Sequence, residues 1–262
     1  MITGATKIFF MLAHPIDHVR SPEIFNPIFE ARGIDAVMVP LDLHPDDFSA
    51  GWNAMRGMRN LGGCIVSVPL KEAAFQLADM AEDSAAGVRA ANVVRREDDG
   101  RLVCANFDGR GFMAGLLRNG RDAEGRDVLL VGAGGAGTAI AFALAEAGAA
   151  SIRIAEIDND RAVRLAAAIR QHYPDFTITV GNGDPTGCNL VVNATPCGLR
   201  PETDPLPLDV TKLTPAMLVA DIVMKPATTP LLAAAQRAGC DVRFGAGMLD
   251  SQAELIMTFF GY

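Results

Sequence analysis

Residues 128–145 read VLLVGAGGAGTAIAFALA, and the order of residue types in this stretch decides the fold. Four apolar residues, Val128 to Val131, make a short buried strand. Gly132, Gly134 and Gly137 follow at G-x-G-x-x-G spacing, and an alanine-rich run continues to Ala147 with Gly148 as its stop. A dinucleotide site needs this order. Small residues let the backbone turn sharply and approach a pyrophosphate, whose charge lies among the free N–H groups of the helix N-terminus. A glycine-rich turn alone is weak support, because such turns are common. Here SIRIAEID reads as the next strand, and Glu156 stands 19 residues past the third glycine. An acid at that point hydrogen-bonds the ribose hydroxyls and repels a 2′-phosphate. The alternative is a purely structural glycine turn in an α/β domain, which the combined pattern disfavours.

On either side of this stretch, strands alternate with helices. Residues 8–12 read as a strand, followed by the loop AHPIDHVR and a helix opened by Ser21 as N-cap and Pro22 as first helical residue. Pro27 is expected to kink that helix. AVMVPLD (36–42) and GGCIVSVP (62–69) are strands, PDDFSAGWNAMRGM is a helix, and another helix begins around Lys71. Asp98-Asp99-Gly100 between NVVRRE and RLVCA signals a hairpin. A helix is expected over 109–119. Beyond the glycine turn, strands at 151–156, 177–180, 188–193, LVADIV and DVRF alternate with helices at 159–172 and TPLLAAAQRAG. The four prolines of PCGLRPETDPLPLD exclude regular structure there, and MLDSQAELIMTFF closes the chain as an amphipathic helix. Such alternation is an α/β pattern.

The chain has 262 residues, half of them hydrophobic, so it has ample core for one large or two modest domains. A net charge of −8 argues against nucleic acid or an anionic membrane as partner, so an anionic ligand must be held by local groups. The five cysteines, Cys64, Cys104, Cys188, Cys197 and Cys240, are scattered and never spaced C-x-x-C, as suits reduced cytoplasmic thiols better than disulfides or zinc. The histidines show no metal spacing, and no metal is expected. The run IFFMLA after Lys7 is too short for a signal peptide. Val128 to Ala145 carries no charge, but its glycines fit the nucleotide reading better than a membrane span.

A set of further motifs is specific. His18, Ser21 and Pro22 form H-x-x-S-P; Val66 to Lys71 read VSVPLK; Ala91-Asn92 and NFDGRG (106–111) follow. Then come GAGGA, NATPCG, Asp221-Ile222-Val223 with Pro226 and TPLL, and GAGMLDSQA (245–253). In this order, over nearly the whole chain, the series resembles the shikimate dehydrogenase family. The resemblance implies an α/β substrate domain over 1–108 and 245–262, and a Rossmann-type dinucleotide-binding domain over 109–244. The carboxy-terminal helix then returns to the first domain. It implies Lys71 and Asp108 as the catalytic pair, with Lys71 the proton carrier, and Ser21, Ser67, Asn92 and Gln252 on a cyclic hydroxy acid. The cofactor would meet Gly132, Gly134, Gly135, Ala136, Gly137, Glu156, Asp158, Asn193, Thr195 and Met248. From residue type alone Lys71 also reads as a solvated lysine at a helix start, and Asp108 as the N-cap of the helix from Gly109.

The chemistry suits the residues. Oxidising a secondary alcohol transfers a hydride to a nicotinamide and a proton from the hydroxyl, and a lysine–aspartate pair can do the second. Departures from the family bear on substrate. Val19 stands where the family has a serine, Ile65 and Ser67 where it has N-V-T, and Met224 where it has a tyrosine. Losing one hydroxyl donor to a carboxylate costs about 1.5–3 kcal/mol, so quinate or another analogue rivals shikimate. Glu156-Ile157-Asp158 replaces the N-R-[ST] of relatives that use NADP, so NAD is the expected cofactor. The rival reading is a non-catalytic NAD-binding protein. A monomer or homodimer is expected.

Overall fold

The computed structural model describes residues 2–118 and 120–262. The chain divides into two compact units, Met1–Phe107 with Ala253–Tyr262, and Asp108–Gln252. In chain order the first unit contains β1 (Lys7–Ala13), α1 (Ser21–Ala31), β2 (Ala36–Asp42), α2 (Phe48–Arg56), β3 (Leu61–Val66) and α3 (Lys71–Leu77). It continues with β4 (Met80–Ala81), α4 (Asp83–Ala86), β5 (Val93–Arg96) and β6 (Leu102–Ala105). The second contains α5 (Asp108–Leu117), β7 (Asp127–Val131), α6 (Gly135–Glu146), β8 (Ser151–Ala155), α7 (Asn159–His172), β9 (Thr177–Gly181) and β10 (Leu190–Asn193). β11 (Leu218–Asp221), α8 (Pro230–Arg237) and β12 (Asp241–Arg243) follow, and α9 (Ala246–Phe259) ends the chain.

The first sheet runs β2-β1-β3-β5-β6-β4, with β1, β2 and β3 parallel and β5 antiparallel to both neighbours. Its residues alternate between faces, as the two-residue period of a strand requires. Phe9, Met11 and Ala13 of β1 enter an apolar cluster with Phe25 and Phe29 of α1. Leu12 between them enters another with Phe48, Trp52 and Met55 of α2. Each fully buried large side chain contributes about 1.5–3 kcal/mol.

The second sheet is parallel throughout, in the order β12-β11-β10-β7-β8-β9. Val128 and Leu130 pack with α6 and α7, while Leu129 and Val131 pack with α8 on the other face. Numbered from β7, the order is the 3-2-1-4-5-6 of a doubly wound dinucleotide fold. Its switch point lies between β7 and β10, where ligands bind beyond the carboxyl ends of the strands. The α/β, Rossmann-type expectation is borne out.

The deviations from the sequence reading have local causes. β3 stops at Val66 rather than running to residue 69, because a turn closed by Leu70 N–H to Ser67 carbonyl (3.0 Å) follows at once. Ser21 is the first residue of α1, not its cap; Arg20 holds the cap position without a side-chain bond. The helix expected over 109–119 is α5, whose Asp108 is already helical; Asn119 lies outside the described residues. The second boundary between units falls after Gln252 rather than after residue 244. Met248 packs on the apolar cluster of α5 and α6, and Gln252 bonds to Asp108, so residues 245–252 go with the second unit. Among the described residues no helix is long and apolar enough to cross a membrane.

Candidate active site

In the first unit β1 and β3 end, and β5 begins, at the same edge of the sheet, where open α/β sheets present their chemistry. Ser67 N–H donates to the Leu12 carbonyl (2.8 Å), and Lys71 opens α3 just past the buried Leu70. The Lys71 carbonyl accepts the Ala91 N–H at 2.9 Å. Asn92, only 3% exposed, donates its N–H to the Ala105 carbonyl at 3.1 Å, and its Oδ1 accepts the Phe107 N–H at 3.0 Å. A run of hydrogen bonds therefore ties Lys71 to Asn92 and Asn92 to the residue preceding Asp108. Ser21 is buried at the start of α1, and Ser67 is half-buried in the turn after β3.

In the second unit Asp108 and Gln252, 144 residues apart in sequence, meet in the interior: Gln252 Nε2 donates to Asp108 Oδ1 at 3.3 Å. The glycines of NFDGRG make this possible. A Cβ on Gly109 would lie 2.4 Å from the Ala139 carbonyl oxygen of α6, and one on Gly111 would lie 2.3 Å from Gln252 Cγ and 2.8 Å from the Met248 carbonyl oxygen. Helix α5 thus approaches both α6 and α9 closely only because these positions lack side chains. Gly111→Ala is expected to displace Gln252, cost about 1–3 kcal/mol of stability by overpacking, and raise KM for the acid substrate more than KM for the cofactor. Chemical denaturation and steady-state kinetics check both parts.

The glycine turn lies at the β7–β10 switch point. Gly132 has φ +98°, and a Cβ there would come 2.8 Å from Thr195 Cγ2. A Cβ on Gly137 would lie 2.1 Å from the Gly132 carbonyl oxygen. Gly134 differs: its φ is −72°, and a Cβ would meet nothing within 4 Å. Protein packing explains Gly132 and Gly137; Gly134 leaves a cradle that a side chain would fill. Helix α6, from Gly135 through Ala136 and Gly137, starts without a side-chain cap or an acid in its first turn. Its first N–H groups suit a pyrophosphate.

Glu156, at the end of β8, accepts the Ala133 N–H at 2.8 Å through Oε2 and the Asp158 N–H at 3.1 Å through Oε1. Asp158 caps α7 by accepting the Arg161 N–H at 3.1 Å. Asn193 is fully buried and spends all its polar capacity. Its Nδ2 donates to Asp221 Oδ1 (3.0 Å) and the Cys197 carbonyl (3.1 Å), and its Oδ1 accepts from Thr195 N–H (3.1 Å) and Thr195 Oγ1 (2.6 Å). Thr195 Oγ1 in turn accepts the Cys197 N–H at 3.1 Å. These two residues shape the loop after β10 through a network that sequence spacing did not reveal. Its anchor is Asp221, which also accepts from Val223 N–H (2.9 Å) and Thr229 Oγ1 (2.7 Å). Burial pushes the Asp221 carboxyl above its ordinary range, against the lowering effect of these donors. Among the described residues no group of three or more His, Cys, Asp or Glu can hold a metal ion.

A family model described as the shikimate dehydrogenase substrate binding domain matches residues 11–94, the part that holds Ser21, Ser67, Lys71 and Asn92. Shikimate dehydrogenase (NADP(+)) of Acidiphilium cryptum is 38% identical over 254 residues, covering 97% of this chain and 90% of its own. The chain belongs to the shikimate dehydrogenase family. It is an oxidoreductase of that family, and the reading as a non-catalytic binder is not favoured. Shikimate dehydrogenase (NADP(+)) of Rubrobacter xylanophilus is 37% identical, over 91% of this chain and 84% of its own. The crystal structure of shikimate 5-dehydrogenase from Thermus thermophilus in complex with NADP(H) and shikimate superposes with a TM-score of 0.84. It is 30% identical and covers 97% of this chain and 93% of its own.

The expectation of NAD is overturned by these relatives, which are named for NADP(+). Residues 156–158 themselves carry only acidic charge. The structure shows both Glu156 oxygens engaged by backbone N–H groups, and Asp158 engaged as a helix cap. Cations follow on the next turns of α7: Arg161 Nε and Arg164 Nη2 each stand 4.0 Å from Asp158 Oδ2. The local charge is therefore less negative than three consecutive letters suggest.

Proposed function

We propose that this chain oxidises a ring hydroxyl of shikimate or a close cyclic hydroxy acid, reversibly, with NADP as the hydride acceptor. The observation that carries this reading is the hydrogen-bonded run from the Lys71 backbone through Asn92 to Phe107, which holds two of the candidate residues together at one edge of the first unit's sheet. NADP, when bound, supplies the acceptor for the hydride. Gly134 and the uncapped start of α6 would receive its pyrophosphate, Gly132, Gly135, Ala136 and Gly137 shape that turn, and Met248 would line the nicotinamide side. Asn193 and Thr195 hold the neighbouring loop in place. Arg161 and Arg164, each 4.0 Å from Asp158, would supply the positive charge for a 2′-phosphate.

In this reading Lys71 takes the proton leaving the substrate hydroxyl, and Asp108 is the second member of the catalytic pair. Asn92 and Gln252 are the amides assigned to other ring hydroxyls, and Ser21 and Ser67 the hydroxyls assigned to the substrate carboxylate. The five cysteines are free thiols, which supports a reducing compartment such as the cytoplasm.

Initial rates of NADPH formation with shikimate, quinate and related cyclic acids test the assignment; turnover of none of them would refute it. The departure at Val19 adds a finer expectation. Val19 is half-buried against the apolar cluster of the first unit, and its neighbour Arg20 lies 3.5 Å from Glu23. A Val19→Ser variant is expected to raise kcat/KM for shikimate about tenfold, the value of one hydrogen bond to a charged group. Equal kcat/KM in the two proteins would show that Val19 does not limit binding of the carboxylate.

A further inference from the structure

We propose that the first unit carries a second ligand site, an arginine-built pocket that takes a small molecule bearing two neighbouring phosphate or carboxylate groups. A cavity of about 340 Å³ opens between the end of α2 and the β5–β6 hairpin, lined by Arg56, Arg59, Arg96, Asp99, Gly100 and Arg101. Four guanidiniums sharing one pocket run against the chain's net charge of −8. Their mutual repulsion has to be offset by something of opposite sign.

The protein itself offsets half of it. Arg56 pairs with Asp79, and Arg101 Nε bonds Asp99 Oδ2 at 2.7 Å. Among the described residues neither Arg59 nor Arg96 belongs to an ion pair. Arg96 also has a buried Nε with no hydrogen-bond partner. Its guanidinium lies over the hairpin turn, where Gly100 has φ +91° and a Cβ would come 2.9 Å from Arg96 Nη2. Glycine here serves the turn and also leaves the guanidinium its place. On the far side of the turn, Asp99 Oδ1 accepts the Arg101 N–H at 3.0 Å and fixes where Arg101 begins.

Among the described residues Arg59 and Arg96 make no direct ion pair, although Arg96 lies in the field of Asp99 and its Nη1 donates to the Glu97 carbonyl at 3.2 Å; both carry planar groups whose N–H forks match phosphate and carboxylate oxygens. The volume lies at the lower end of the range for small-ligand sites, about 300–1,000 Å³. A ligand with two adjacent anionic groups satisfies both counts. Its place is separate from the catalytic candidates. Arg59 lies just before β3 and Arg96 ends the antiparallel β5, whereas Ser67 and Asn92 lie at the opposite end of these strands, about 20 Å away along the six residues of β3 and about 13 Å away along β5.

Isothermal titration of the whole protein tests this, with NADP at saturation so that the glycine turn is filled, and with pyrophosphate or citrate as probe at constant ionic strength. One saturable site is expected, weakened at least about tenfold by Arg59→Ala and by Arg96→Gln. Arg59 is exposed, so its removal leaves the fold intact. Tighter binding of pyrophosphate assigns the site to phosphorylated ligands and tighter binding of citrate to carboxylates; either outcome supports it. No saturable binding of either probe to the wild type, or unchanged binding in both variants, overturns it.

Discussion

Replacing Lys71 by alanine is expected to lower kcat for shikimate oxidation by about 10²–10⁴-fold, the usual worth of a positioned proton carrier. The fold should survive. Lys71 is half-exposed at the first position of α3, and its backbone carbonyl, bonded to the Ala91 N–H, is kept by alanine. The unfolding free energy should therefore fall by no more than about 1 kcal/mol, the centre of the range for single substitutions. Asp108→Asn should give a loss of similar size for a different reason. Its side-chain carbonyl can still accept from Gln252 Nε2, so the buried contact persists while the charge is gone. Were Lys71 only a solvated helix-start lysine, and Asp108 only a helix-start acid, both variants would keep kcat within about threefold, a loss far below that of a removed proton carrier.

The second large effect separates two glycines that sequence treats alike. Gly137→Ala places a Cβ 2.1 Å from the Gly132 carbonyl oxygen, a backbone atom that cannot move aside. Destabilisation at or above the upper end of about 1–3 kcal/mol follows, whether or not cofactor is present. Gly134→Ala adds its methyl to open space at an ordinary φ of −72°. Stability should hardly change, yet kcat/KM for NADP should fall about 10²-fold, the scale of an ångström-level misplacement of a bound group. Thermal unfolding without cofactor and steady-state kinetics distinguish the pair. Equal cofactor kinetics for Gly134→Ala and wild type would remove Gly134 from the pyrophosphate site.

The alternation of strand and helix was legible because it rests on local periodicity. Strand β2 and helix α7 have the limits that AVMVPLD and the amphipathic run 159–172 indicate. The glycine turn was legible for the same reason, being a strand, a turn and a helix within one stretch. What could not be read depends on contacts between distant residues. Gly111 looks like any helix glycine until α9 is seen against it, and residues 245–252 read as part of the first domain until Met248 and Gln252 are seen packed on α5. Asn193 and Thr195 are expected beside the cofactor, and what their spacing does not show is that their side chains bond Asp221 and the adjacent loop. The charge near the end of β8 was not legible from residues 156–158 alone, since Arg161 and Arg164 come near Asp158 only once α7 has formed.

The central claim is that hydride leaves a carbinol carbon of the acid for the nicotinamide while the hydroxyl proton leaves by way of Lys71. Its most direct test uses shikimate carrying deuterium on its carbinol carbons, incubated with the protein and NADP, with the nucleotide then analysed by mass spectrometry. The account predicts NADPH one mass unit heavier, with the label in the nicotinamide ring, and almost none in the Lys71→Ala variant. Deuterium retained in the acid or lost to water, with NADP still bound to the protein, would contradict it.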